Sequence, residues 1–287
     1  MTDRIMLIGG PDSGKTNYLG RFWQKLSAGN GALSTQAPPA DIRYVEEALS
    51  HLLLGEFAPR SDLNLEEGGR EFEVAVVHSG SAEPVEIIVP DVSGELWKKA
   101  VETTELPAAW MDRMRSSDGA LLFVRVHSGQ NVEPPDWVAS QKLLELVGTG
   151  DAGTDYKIPT QVSLCELLRF LEYTLGTESG ARGRVAVVIT AWDLLDGEAA
   201  SASPETYLRK QFPLFAGRLT DTTLDVRVFG VSILGGDLGD GDFKKKFLDG
   251  DMAKAGYAVS LDGAGSVVKT DDISAPVAWV VEGVGLE

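Results

Sequence analysis

The segment Gly9-Gly10-Pro11-Asp12-Ser13-Gly14-Lys15-Thr16 satisfies the pattern G-x-x-x-x-G-K-[ST] in full. Each letter has a chemical reason. Glycines let backbone N–H groups close around phosphate oxygens, Lys15 reaches the β and γ oxygens, and Thr16 ligates Mg²⁺. Gly9, Asp12, Ser13, Gly14, Lys15, Thr16 and Asn17 are the expected phosphate-binding set. A glycine turn that merely packed a helix on a sheet would give no reason for the lysine and the threonine.

A loop of this kind leaves the base and the reaction open, so other segments must decide them. In Asp91-Val92-Ser93-Gly94-Glu95, Asp91 suits the Mg²⁺ hydration shell, the Gly94 amide suits a γ-phosphate, and Glu95 can orient or deprotonate water. The same four letters D-x-x-G also cap strands as an ordinary turn. In Thr190-Ala191-Trp192-Asp193, Asp193 can accept from the guanine N1 and N2 donors, a pattern adenine does not offer. Thr190 can hold the local hydrogen bonds of that turn, and a backbone amide near Ser232 can meet the guanine oxygen. The bland alternative for Asp193 is a cap on the following helix. In Pro59-Arg60-Ser61, Ser61 is the candidate hydroxyl for Mg²⁺. Arg60 reads either as a cation for transition-state charge or as a solvated surface arginine.

Elements able to position these groups follow from the pattern. Residues 4–8 form an apolar run ending at Gly9, and a helical stripe (Tyr18, Leu19, Phe22, Trp23, Leu26) follows Thr16. Strand, glycine loop and helix thus come in the order phosphate binding requires. A second helix runs from Ile42 to Leu53 and ends at Gly55. Residues 71–78 and 85–89 read as a hairpin, 119–126, 185–189 and 227–233 as further strands, and 162–171 as a helix. A short helix is expected at 137–147. Ser203-Pro204-Glu205 starts a helix expected to reach Leu214, Asp262-Gly263 suggests a hairpin, and Pro276 opens a closing helix. The expectation is an α/β, three-layer fold with a mostly parallel six-stranded sheet, one strand antiparallel. It forms a single domain over 1–287, with peripheral insertions near 30–69, 130–158 and 235–270. Trp97 and Trp110 are candidates to face a partner when the switch moves.

Composition narrows the function classes. The chain has 287 residues, with 43 acidic against 26 basic, a formal charge of -17. Such a surface repels nucleic acid and anionic lipid, so neither is expected as a partner. One cysteine, Cys165, allows no internal disulfide and fits a reducing compartment. No apolar run approaches a membrane span, and the N-terminal run is too short for a signal peptide. A cytoplasmic location is expected. His51, His78 and His127 are isolated, which disfavours zinc, and Asp237, Asp240 and Asp242 lack the glycine and glutamate spacing of an EF-hand.

With Gly9–Thr16, Asp91–Glu95, Thr190–Asp193 and Ser232 in this order, the chain resembles the TRAFAC class of P-loop GTPases over most of residues 4–281. Within that class it looks most like the bacterial double-GTPase family. The helix Asp41–Gly55, the form Asp91-Val92-Ser93-Gly94-Glu95, Pro159-Thr160-Gln161-Val162 and Pro276-Val277-Ala278-Trp279 carry this likeness. The resemblance implies GTP/GDP and Mg²⁺ as ligands. It also implies a sister GTPase and effector proteins as partners in bacterial defence systems, where nucleotide state controls assembly. The sequence departs from the class at Ala191, where a lysine stem normally covers the base, at Ser61, and at Glu95, where a glutamine usually orients water. Slow hydrolysis is therefore expected, and three readings stay open: a GTP-hydrolysing switch, a nucleotide-binding scaffold with little turnover, and a P-loop ATPase or kinase.

Overall fold

The alternation of side chains along the central strands dictates two separate cores. Ile5 and Leu7 of the first strand face one side of the sheet, with Leu121, Phe123, Ala186 and Val188. Met6 and Ile8 face the other, with Leu122, Val124, Val185 and Val187. Strands buried on both faces read as continuous apolar runs and need helices on each side. Burying each large side chain contributes about 1.5–3 kcal/mol, so these two clusters hold the layers together.

The computed structural model describes residues 2–35, 38–39, 42–58, 71–78, 85–90, 94–136, 157–175, 182–250 and 254–282. Its strands are β1 (Thr2–Ile8), β2 (Leu33–Thr35), β3 (Glu71–His78), β4 (Val85–Pro90), β5 (Gly119–Arg125), β6 (Arg184–Thr190), β7 (Asp225–Ser232), β8 (Tyr257–Leu261) and β9 (Val267–Thr270). The helices are α1 (Lys15–Ala28), α2 (Arg43–Leu53), α3 (Gly94–Thr103), α4 (Ala108–Arg115), α5 (Thr160–Thr174), α6 (Gly197–Ser201), α7 (Pro204–Gln211), α8 (Pro213–Thr220), α9 (Gly241–Leu248) and α10 (Ala275–Glu282). One sheet runs β2-β3-β4-β1-β5-β6-β7-β8-β9. Its centre, β4-β1-β5-β6-β7, is parallel, and β2-β3, β3-β4, β7-β8 and β8-β9 pair antiparallel. Helix α1 packs in the core with Tyr18 and Phe22, and α10 joins it with Val277. Helices α3, α5, α7 and α8 cover the opposite face through Trp97, Leu168, Leu208 and Phe215.

Three expectations are corrected. The sheet has nine strands among the described residues, against six expected with one antiparallel. The additional strands are short: β2 has three residues, and β9 is exposed at every position, so neither shows a burial period. The helix begun at Ser203 stops at Gln211, and Pro213 starts α8; proline lacks the N–H to continue a helix and its ring clashes with the preceding turn. Trp97 is fully buried, because Leu96, Trp97, Ala100 and Val101 form the core stripe of α3, and Trp110 also packs against that core. The expected helix at 137–147 lies outside the described residues.

Candidate functional site

The parallel strands deliver their C-terminal ends to one crevice, where β1 stands between β4 and β5. In open α/β sheets the ligand crevice lies at such a reversal of strand order. Gly14 closes the loop there with φ +90 as the N-cap of α1. A side chain at Gly14 would also press on Thr190, 3.0 Å from its Oγ1. The first turn of α1 carries no acidic residue, so its free N–H groups and dipole keep their full attraction for anions.

Lys15 lies inside this loop. Its Nζ donates to the carbonyls of Gly9 (2.7 Å) and Gly10 (3.1 Å) and to Ser13 Oγ (3.2 Å), and the residue is buried. The ammonium is thus held at the centre of a ring of backbone groups. Thr16 and Asn17 line the cleft beside it, and Asn17 Oδ1 accepts from the Ala58 amide at 3.0 Å. This hydrogen bond brings the end of the 42–58 segment over the start of α1. Asp12 takes the left-handed region at φ +60. Its two carboxylate oxygens accept from Arg125 and Ser128, each at 2.8 Å.

The residues expected to read the base meet the loop directly. Thr190, buried at the end of β6, donates its hydroxyl to the Ser13 carbonyl at 2.8 Å. Ala191 follows at φ +56, and Asp193 lines the same cleft. Burial pushes the Asp193 carboxyl above its usual value, and Asp237 adds to the rise. A hydrogen bond from the Ser232 hydroxyl, an amide contact and Arg125 oppose it without cancelling it. Ser232 itself is fully buried and accepts from the Gly235 amide at 2.8 Å. Its hydroxyl supports the Asp193 carboxylate, and the residues after it, Ile233, Leu234, Gly236 and Asp237, line the wall.

Gly94 and Glu95, opening α3, also line the cleft, with Gly94 against Gly10 and Pro11. The cleft measures about 230 Å³. Arg60, Ser61 and Asp91 lie outside the described residues. Lys15, Thr16, Asn17, Gly94, Glu95, Thr190 and Asp193 therefore converge, whereas Ser232 acts from behind. The residues fit a polyphosphate with a bound cation: a loop of free amides, a central ammonium, and the Thr16 hydroxyl at its rim.

The lining residues that the sequence did not point to include Arg125 and Phe57. Arg125 ends an otherwise apolar strand, which is its only local signal. Phe57 follows a glycine and a glutamate in a stretch read as loop, and its ring centre lies 6.0 Å from the Arg125 guanidinium carbon.

Comparison with known proteins adds the following. A family model described as Double-GTPase 1 matches residues 6–280. No curated protein matches the chain. Among solved structures, one similar chain comes from the signal recognition particle receptor SRb-GTP/SRX complex of Chaetomium thermophilum. It shares 13% identity, with 87% of this chain and 98% of that chain covered and a TM-score of 0.43.

Proposed function

Because the chain belongs to the Double-GTPase 1 family, we propose that it is a Mg²⁺-dependent guanine-nucleotide switch that hydrolyses GTP slowly. The observation that carries this reading is the hydrogen bond from Thr190 to the Ser13 carbonyl. It joins the strand presenting Asp193 to the loop holding Lys15, so base and phosphate recognition share one rigid unit.

In this reading Lys15 leaves the loop carbonyls to meet β and γ oxygens, the α1 amides hold the phosphate chain, and Asp193 accepts from the guanine N1 and N2 donors. Thr16, with Ser61 and Asp91, would hold Mg²⁺, which supplies charge neutralisation along the phosphates. Glu95, exposed at the start of α3, orients the attacking water. Its negative charge near the γ-phosphate raises the barrier, which accounts for slow turnover. Arg60 offers a cation for the transition state. Residues 56–66 and 92–105 carry the nucleotide signal to a sister GTPase and effector components, in the cytoplasm. Among the described residues no helix is long and apolar enough to cross a membrane.

A second reading, a tightly binding scaffold with little turnover, is favoured by the same carboxylate at Glu95. A P-loop ATPase or kinase has less support, because adenine does not offer Asp193 the paired N1 and N2 donors that guanine does. Mass spectrometry of nucleotide released from the purified protein, followed by single-turnover hydrolysis with Mg·GTP, tests these readings. Guanine nucleotide with a rate constant on the order of 10⁻⁴ s⁻¹ or faster supports the switch. Retained GTP with no GDP formed selects the scaffold, and adenine nucleotide overturns both.

A further inference from the structure

Ala191 poses a problem for the proposed site. The turn after β6 offers only a methyl group where the nucleoside must be covered, so the phosphates would be well held and the nucleoside left bare on that wall. We infer that Arg125, reaching over from the neighbouring strand, supplies the covering side chain that Ala191 lacks and thereby sets nucleoside affinity; this rests on the guanine-nucleotide reading of the cleft.

Register puts Arg125 in place. It pairs with Thr190 across β5 and β6, so it stands beside the residue that precedes Ala191. Its side chain is tethered through Asp12, and its backbone is held separately. NH1 donates to Asp12 Oδ1 at 2.8 Å, Asp12 is itself held by Ser128, and the Arg125 carbonyl accepts from Asn131 Nδ2 at 3.0 Å. The cost of this arrangement is visible at Asp12, a non-glycine residue at φ +60. Such backbone costs about 1 kcal/mol or more and persists where surrounding contacts over-determine it.

The guanidinium is not closed off by these contacts. The Arg125 side chain remains 30% exposed and lines the cleft. Among the described lining residues, Lys15 and Arg125 are the two cations, against Asp12, Glu95, Asp193 and Asp237. Arg125 also acts on Asp193, lowering its carboxyl against the effect of burial. It is bonded to Asp12 of the phosphate loop and lines the same cleft as Asp193, the cleft in which the nucleoside would lie. Next to it Phe57 exposes 46% of its surface at 6.0 Å, adding an apolar ring to the same wall. A planar guanidinium stacks on aromatic rings in a way that a lysine ammonium does not.

Calorimetric titration of GDP and of inorganic tripolyphosphate separates covering from mere loop support. Arg125→Ala is expected to weaken GDP about thirtyfold while changing tripolyphosphate affinity less than about threefold. Adding Ala191→Lys to that variant is expected to recover most of the GDP affinity. Arg125→Lys keeps a cation near Asp12 but loses the plane, so several-fold weaker GDP binding is expected there too; this variant decides the matter if Arg125→Ala does not fold. Equal losses for GDP and tripolyphosphate, or GDP affinity unchanged in both variants, would overturn the inference. Wild-type protein that does not prefer GDP to ADP would refute the guanine site itself, a separate outcome.

Discussion

Gly94 lies against Pro11 with no space for a side chain: a Cβ added to Gly94 would stand 2.6 Å from the Pro11 Cα and would also strike the Gly10 carbonyl carbon. The first residue of α3 and the phosphate loop are therefore in hard contact, and packed interiors transmit displacement where they cannot compress. A shift of the loop on binding phosphate must move α3, or the reverse. Gly94→Ala is expected to cost about 1–3 kcal/mol by overpacking and to lower GTP affinity at least tenfold, about 1.4 kcal/mol. Urea denaturation and calorimetry of the same preparation measure both. Unchanged values would show that the helix start yields freely.

Thr190→Val keeps the side-chain shape and removes the hydroxyl that donates to Ser13. The Ser13 carbonyl then loses a buried donor, at about 1–3 kcal/mol. Stability of the nucleotide-free protein should fall by that amount, and affinities for GTP and GDP should fall together. Loss of one without the other would contradict a shared unit.

Asp193 gives a pH signature. Its folded carboxyl is held above the ordinary 3.8, so between that value and the raised one the native state binds more protons than the unfolded chain. Stability of the nucleotide-free protein then declines as pH rises through this window, and the penalty is fully present above it. Asp193→Asn should flatten that decline and raise the neutral-pH melting temperature of the nucleotide-free protein. Guanine binding should drop about a hundredfold, because a charge-assisted pair is lost. Melting curves from pH 4 to 8 check the first effect; a lower melting temperature at pH 7 would sink it.

Arg21 ties the first helix to Ile233, on the cleft wall where the base is proposed to lie. Although it is 1% exposed, its guanidinium donates to the Ile233 carbonyl at 2.9 Å and the Ala255 carbonyl at 2.7 Å, and pairs with Gln24. Burial lowers its pKa to about 10, so it stays charged at neutral pH. Arg21→Met should destabilise the protein by about 2–4 kcal/mol, leaving two buried carbonyls without their donor. It should weaken GDP more than tripolyphosphate. Equal effects on the two ligands would contradict a role at the base end.

How much of this was legible in the sequence depended on whether the signal was local. The order of strand, glycine loop and helix at 4–28 is written in adjacent residues, as is the Ser203 cap, whose hydroxyl accepts from the Thr206 amide at 3.2 Å. The partners of Asp12 were not legible, because Arg125 and Ser128 reach it only through the pairing of β1 with β5. For the same reason Arg125 read as the end of a strand. Its place beside Thr190 is a property of register between β5 and β6, which no single segment encodes. The turn at Ser232 was legible, but the burial of its side chain follows from how β7 packs.

The central claim is that guanine nucleotide binds in the cleft between Lys15 and Asp193. Titration of nucleotide-free protein with Mg·GTP and Mg·ATP, on wild type and on Lys15→Ala, tests it most directly. Saturable binding at least about a hundredfold tighter for GTP than for ATP is expected, lost in Lys15→Ala. Equal affinity for the two nucleotides, or GTP binding that survives the substitution, would contradict it.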